Sequence, residues 1–197
     1  DLRSPFHGLL GFSNMLLAEY DNLSNEERKH ITERINLSAI YVFKLIENLL
    51  EWSRLQSGRM DLKPVTTDLN ETVLYVFNLL SGLAGNKEIK LVNEVPEAVE
   101  VFTDNNMLIS VIENLLSNAI KFSKRKSKIV ISCKYVGKYV EVSVTDNGIG
   151  IKKDDMEKLF KIDNHHSTVG TEEERGTGLG LILCREMIQK MGGSLSV

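Results

Sequence analysis

The first 52 residues place apolar side chains at alternating spacings of four and three. The positions are Leu2, Phe6, Leu9, Ser13, Leu16 and Tyr20, followed by Ile31, Ile35, Ser38, Val42, Leu45, Leu49 and Trp52, so that each run is apolar except for one serine. This periodicity is typical of two helices with a coiled-coil-like seam, and the turn-forming residues 21–25 predict that they fold back as an antiparallel hairpin. One hairpin cannot cover both of its wide apolar faces, so we expect a homodimer in which two hairpins form a four-helix bundle.

The rest of the chain mixes helix and strand signals. We predict a helical hairpin over residues 1–58, a linker at 59–65 ending near Pro64, and a second domain over 66–197. Helices are expected near 70–84 and 104–122, strands near 89–95, 99–102, 128–135 and 139–145, then a final helix and a new strand at 193–197. The predicted class is α+β, with a helical hairpin followed by an α/β sandwich.

Composition excludes several classes of protein. A net charge of −3 indicates no general affinity for nucleic acid or anionic membranes. No apolar run reaches the roughly 20 residues that span a bilayer, so we expect no membrane contact. Cys133 and Cys184 lack a metal-binding spacing and indicate reduced thiols in the cytoplasm. A start at Asp1 without methionine indicates a fragment, and the sequence leaves open whether it is the intracellular part of a membrane-anchored receptor.

A glycine-bearing loop follows the last predicted strand. Val140, Val142 and Val144 share one face of that strand, and Asp146 lies two residues further on the same parity, so its carboxylate is expected on the core side. A buried acceptor requires a donor, which suggests a ligand. Asp-Asn-Gly alone is also an ordinary turn signal. The second glycine run, at 176–180, begins a helix whose free N–H groups favour phosphate.

The predicted 104–122 helix has a polar arc on a different face from its expected buried side, which comprises Leu108, Val111, Ile112, Leu115, Ala119 and Phe122. Asn114, Asn118 and Lys121 are spaced i, i+4 and i+7, which places them on one face. Amide oxygens can bind Mg²⁺ and a lysine can bind phosphate, although a polar helix stripe is more often a solvated face.

Four stretches, in order, resemble the motifs of the sensor histidine kinases of two-component systems. Residues 113–122 (ENLLSNAIKF) resemble the N box, 146–150 (DNGIG) the first glycine box, 157–160 (EKLF) the F box, and 176–181 (GTGLGL) the second glycine box. The family's ATP domain has the Bergerat fold, shared with gyrase and the ninety-kilodalton heat-shock chaperone. The segment 165–171 resembles the lid of hybrid two-component receptors.

The resemblance implies a role for each matching residue. Asp146 would accept the adenine amino group, Asn118 would bind Mg²⁺, and Asn114 and Lys121 would lie near the phosphates of ATP. Ile149, Ile151 and Phe160 would wall the adenine, Lys161 would reach the γ-phosphate, and a mobile lid over 163–175 would close on it. The glycine boxes would supply the remaining ATP contacts, at Gly148, Gly150, Gly176, Thr177, Gly178, Leu179, Gly180 and Leu181.

The beginning of the chain resembles the family's H box from its second position onward. The phosphoacceptor histidine would be the residue immediately before Asp1, which makes Asp1 the expected general base and Ser4 the position that aids phosphatase activity. Pro5 would bend the helix. A response-regulator receiver domain is expected to dock around Arg3, His7 and Leu10.

The leading interpretation is an ATP-dependent histidine kinase that autophosphorylates and passes the phosphoryl group to a response-regulator aspartate. Two alternatives stay open at this stage. A gyrase- or chaperone-type ATPase is disfavoured because that class has a glutamate where this chain has Asn114. A catalytically silent, dimeric ATP-binding scaffold remains because the acceptor histidine is not in the sequence.

Overall fold

The structure, a computed structural model, describes residues 3–58, 60–156, 159–160, 169–172, 174 and 176–197, with the side chains of 3–5 and 154 excepted. It divides into two compact units, Asp1–Glu51 and Trp52–Val197. Within the described part of the chain, every helix is too short or too polar to cross a membrane.

The first unit is built from two helices, α1 (Arg3–Glu19) and α2 (Asn25–Gln56), the second of which continues beyond the unit. A reciprocal cap starts α2: the Ser24 N–H donates to the Glu27 carboxylate at 2.8 Å, and the Glu27 N–H donates to Ser24 Oγ at 3.3 Å. Every predicted seam position of α2, from Ile31 to Trp52, is buried or half-buried. The apolar spacing therefore identified the inward face of this helix.

The second unit contains two sheets. In the smaller, β1 (Val65–Asp68) pairs antiparallel with β3 (Glu100–Thr103). In the larger, β2 (Lys90–Glu94) lies parallel to β4 (Lys128–Val136), which pairs antiparallel with β5 (Tyr139–Thr145). Gly137 has a φ of +60° in the β4–β5 turn, as the predicted hairpin requires.

Helices α3 (Leu69–Asn86) and α4 (Asn105–Phe122) pack against the larger sheet, and α5 (Lys153–Met156) and α6 (Gly180–Lys190) follow. Asp68 and Asp104 cap α3 and α4 by accepting backbone N–H groups of the first turn. The core between helices and sheet includes Leu69, Val73, Val76, Ile112, Leu116, Ile129 and Ile131, all almost fully buried. This helix layer on a mixed sheet confirms the predicted α/β sandwich.

Three details differ from the predictions. Strand β1 was not expected, because four residues after Pro64 carry too little pattern to identify a strand. Residues 193–197, predicted as a strand, pair with no described strand; Leu195 instead packs beside the core of α4 and α6. On α4, Leu116 and Ile120 are buried where Leu115 and Phe122 were expected, because this helix contacts two clusters on adjacent faces.

Candidate functional site

Asp146 stands at the end of β5, but its side chain is exposed rather than buried. The prediction of a core-facing carboxylate is wrong, although Val140, Val142 and Val144 do pack on the core as expected. Strand alternation stops with β5 at Thr145, and Asp146 Oδ1 accepts the Gly148 N–H at 2.7 Å. This is a local turn contact that needs no ligand. The carboxylate is therefore held by its own loop and faces outward.

The loop after Asp146 lies against the carboxyl end of α4. The Ile149 N–H donates to the Phe122 carbonyl at 3.2 Å, and Gly148 forms a bridge with Ser123. A β-carbon on Gly148 would lie 2.6 Å from the Phe122 carbonyl oxygen, so only glycine allows this approach. The structure thus joins the first glycine box to the end of the predicted N box.

The middle of α4 approaches the second glycine box. Asn114 and Asn118 are half-buried, and Asn114 Nδ2 donates to the Ser110 carbonyl at 3.0 Å within the helix. A β-carbon on Gly180 would lie 2.7 Å from Asn114 Oδ1. Below this contact, Val111 packs with Leu183 in a buried cluster of α4 and α6. One helix therefore contacts both glycine boxes.

Lys121 closes the polar arc of α4. Its side chain is half-buried, with Nζ 4.6 Å from the centroid of the Phe122 ring. Burial lowers the pKa of the ammonium because it removes water from the charge; Glu174 opposes this lowering and Lys87 adds to it. A partly dehydrated cation is well suited to an anionic ligand, since binding would compensate the lost hydration.

The second glycine box, residues 176–181, forms the turn before α6 and its first two residues. Gly178 has a φ of +72°. The Leu179 N–H donates a hydrogen bond to Thr177 Oγ1 at 3.4 Å. Leu179 is buried, whereas Gly176, Thr177, Gly180 and Leu181 are half-buried. Helix α6 also carries Arg185, whose guanidinium lies 5.4 Å from the centroid of the Phe160 ring. Phe160 is half-buried.

Two predicted adenine contacts are open to solvent. Ile149 is 54% exposed and Ile151 is 42% exposed. Gly150, between them, has a φ of +68°, which turns the loop. These exposed branched side chains lie on the same loop as the outward-facing carboxylate of Asp146.

Several predicted residues lie outside the described part of the chain. These are Asp1, Lys161, the F-box residues Glu157 and Lys158, and residues 163–168, 173 and 175 of the predicted lid. The side chain of Ser4 also lies outside it.

Asn118 is the predicted metal ligand. Among the described residues, no group of three or more His, Cys, Asp or Glu side chains could bind a metal ion. Mg²⁺ commonly takes one or two protein oxygens and completes its octahedron with phosphate and water. The side-chain amide oxygen of Asn118, which is half-buried, could be such a protein ligand.

Sequence reasoning missed Lys87, which lies 34 residues before Lys121 yet donates to its carbonyl oxygen at 3.0 Å. It follows the end of α3 and resembles an ordinary basic residue at a helix terminus, so no local pattern distinguished it. Thr171 and Glu174 contact Lys87. Only the tertiary fold brings these residues together.

Comparison with known proteins assigns both parts of the chain. Residues 1–58 match the His Kinase A (phospho-acceptor) domain, and residues 103–197 match the histidine kinase-, DNA gyrase B- and HSP90-like ATPase family. The whole chain is 31% identical to part of a non-motile and phage-resistance protein of Caulobacter vibrioides and 29% identical to part of the histidine protein kinase DivJ of the same organism. It spans 24% and 33% of those two proteins.

A solved structure agrees with these domain matches. Histidine kinase ThkA, in complex with response regulator protein TrrA, superposes with a TM-score of 0.75 at 24% identity, over 98% of this chain and 52% of that one. At this identity the likeness concerns the fold. Given the phospho-acceptor domain, the ATPase domain and the histidine kinase relatives, this chain belongs to the sensor histidine kinases and forms their core.

Proposed function

We propose that this chain transfers the γ-phosphoryl group of ATP to a histidine that directly precedes Asp1 and then to an aspartate of a response regulator. In the first step, an imidazole nitrogen forms a bond to phosphorus, the bond to the β–γ bridging oxygen breaks, and ADP leaves. Among the described residues, Cys133 and Cys184 form no disulfide, which suits the reducing cytoplasm where we place this core.

The position of α4 carries the proposal. Its carboxyl end contacts the Asp146 loop through Ile149, and its middle contacts Gly180 through Asn114. A ligand on the polar arc of α4 would therefore meet both glycine boxes, one at each end. ATP has the matching shape, with a purine at one end and a triphosphate at the other.

Each residue then has a chemical task. Asp146 accepts the adenine amino group, and Ile149 and Ile151 cover the base, with Phe160 as a further wall. Asn114 and Lys121 lie towards the phosphates, where Lys121 offsets their charge. Mg²⁺, held through Asn118, would neutralise charge on the transferring group. Lys161, the glycines of both boxes, Thr177, Leu179 and Leu181 complete the proposed ATP contacts.

The helical unit would supply the acceptor and the partners. We assign Asp1 as the general base that acts on the histidine preceding it. We assign Ser4 a role in phosphatase activity. Exposed apolar side chains on both helices, among them Leu17, Ile40 and Phe43, support a homodimer. The complex formed by ThkA supports a receiver-domain partner, which we place around Arg3, His7 and Leu10.

A labelling experiment tests the transfer. The chain with histidine added before Asp1 is incubated with Mg²⁺ and ATP labelled on its γ-phosphate. We expect one acid-labile phosphoprotein, and none when the added residue is glutamine. Steady release of free phosphate without a phosphoprotein would favour the ATPase alternative, and nucleotide binding with neither product would favour the scaffold.

The adenine contact has its own test. Asp146→Asn removes a charged acceptor, so the affinity for ATP should fall about 10- to 100-fold. Glu141→Gln, a matched change at an exposed β5 acid paired with Lys134, should leave affinity unchanged. Calorimetry that finds equal affinity for Asp146→Asn and the parent chain would remove Asp146 from the site.

A further inference from the structure

Lys87 is a lysine buried inside the second compact unit, Trp52–Val197, which we call the ATPase unit. It is 3% exposed and directly follows α3. Its ammonium donates to the carbonyl oxygens of Ile120 and Lys121 at 3.1 and 3.0 Å and to Thr171 Oγ1 at 2.8 Å, and it forms an ion pair with Glu174. Burying an ammonium is costly unless its donors are satisfied, and these contacts satisfy it. Lys87 is therefore not an ordinary charged residue of the protein surface.

The first two partners belong to the last turn of α4. Carbonyl groups at the end of a helix lack intrahelical donors and carry the negative end of the helix dipole. Lys87 donates to two of them from another element. It therefore ties the carboxyl end of the predicted N-box helix to the end of α3.

The other two partners belong to the chain between the glycine boxes. We name residues 169–172 and 174 the Thr171 segment. The Thr171 N–H donates to the Lys121 carbonyl at 3.1 Å, and the Gly170 N–H donates to the Glu174 carbonyl at 2.8 Å. Lys87 thus joins this segment to α4 at the residue where the polar arc ends.

The Thr171 segment also crowds the side chain of Lys121. A β-carbon on Gly170 would lie 2.6 Å from Lys121 Cγ, so this backbone passes directly over the base of the lysine. Displacing the segment would give the Lys121 side chain room to change its direction.

We propose that Lys87 is a positioning residue of the nucleotide site. It holds the Thr171 segment against the end of α4 and so fixes Lys121 towards the phosphates, without touching the nucleotide itself. The inference rests on the proposed role of Lys121 as a phosphate ligand. It predicts that losing Lys87 weakens the binding of phosphates more than the binding of the base.

The test compares two nucleotides on the complete chain. Affinities for the non-hydrolysable triphosphate AMP-PNP and for AMP are measured by calorimetry, well below the unfolding temperature. Lys87→Met should weaken AMP-PNP binding about tenfold, the effect of one lost charged contact, and AMP binding about twofold or less. Lys134→Met is the matched control, because Lys134 forms an exposed 2.8 Å ion pair with Glu141 on the β4–β5 hairpin. Both affinities should stay unchanged there.

A second pair of variants covers the case in which Lys87→Met does not fold. Both variants leave Lys87 in place: Thr171→Val removes its hydroxyl partner, and Glu174→Gln removes the charge of its ion-pair partner. Each should lower the AMP-PNP to AMP affinity ratio in the same direction. A purely structural lysine would change stability and leave that ratio constant, so an unchanged ratio in the folded variants overturns the inference. If the parent chain binds neither nucleotide, the proposed function itself is wrong.

Discussion

The two units bury their apolar side chains to very different extents. In the ATPase unit, Leu116 and Ile129 are fully buried within a continuous core. Among the described side chains of the helical unit, the most buried apolar one, Ile31, is 5% exposed, while Leu17 and Phe43 are 78% and 64% exposed. The ATPase unit completes its own core, whereas the helical unit leaves apolar surface that a second copy can cover. Stability should therefore be intrinsic to one unit and concentration-dependent in the other.

The largest expected effect comes from the core of the ATPase unit. Leu116→Ala should lower its free energy of unfolding by about 3 kcal/mol, since it removes buried methyl groups and leaves a cavity. The fluorescence of Trp52, the single tryptophan, reports on this unit, which includes Trp52, during urea denaturation. Leu79→Ala, at a 53% exposed position of α3, should change stability by less than about 0.5 kcal/mol. Equal costs for the two variants would contradict the buried core.

The next effect concerns the helical unit. Phe43→Asp should raise the dimer dissociation constant at least about tenfold, because it places a charge on the face assigned to the partner hairpin. Sedimentation equilibrium over a range of protein concentrations measures the change. Tyr75→Asp, at a 58% exposed position in the ATPase unit, is the control and should leave association intact. A parent chain that is monomeric at every concentration would remove the contrast between the units.

The smallest effect is a pH dependence in the ATPase unit. Burial raises the pKa of Glu174, but hydrogen bonds from Lys87 and from two backbone N–H groups, with the charge of Lys87, bring it below its ordinary value of 4.5. A lowered carboxyl pKa stabilises the folded state above 4.5, and this contribution is lost as pH falls through the folded value. Glu174→Gln should thus lower the midpoint of urea unfolding at about pH 7, and less at about pH 4. A loss that grows on acidification would contradict the pairing with Lys87.

Local pattern predicted most of the elements. The spacing of Ile31 to Trp52 identified the inward face of α2, and the alternation in residues 128–145 identified the β4–β5 hairpin around Gly137. Both depend on contacts between near neighbours in sequence, where periodicity carries the information. The N-box and glycine-box motifs likewise identified the family before any geometry was known.

Other features depend on distant partners. Val65–Asp68 forms strand β1 because it pairs with β3, which lies more than thirty residues further along the chain. Residues 193–197 do not form the predicted strand, since no described strand pairs with them. Strand pairing requires a partner backbone, which a short segment does not reveal in its own residues.

Sequence patterns predicted the two-part organisation, the family and the candidate ATP residues, because helix seams, strand alternation and glycine motifs each depend on residues close together in the chain. The folded structure was needed to show that the Asp146 loop lies against the carboxyl end of α4 and that Lys87 joins that end to the Thr171 segment. Burial and charge pairing are properties of the folded neighbourhood, and here that neighbourhood is assembled from residues 34 and 84 positions apart along the chain.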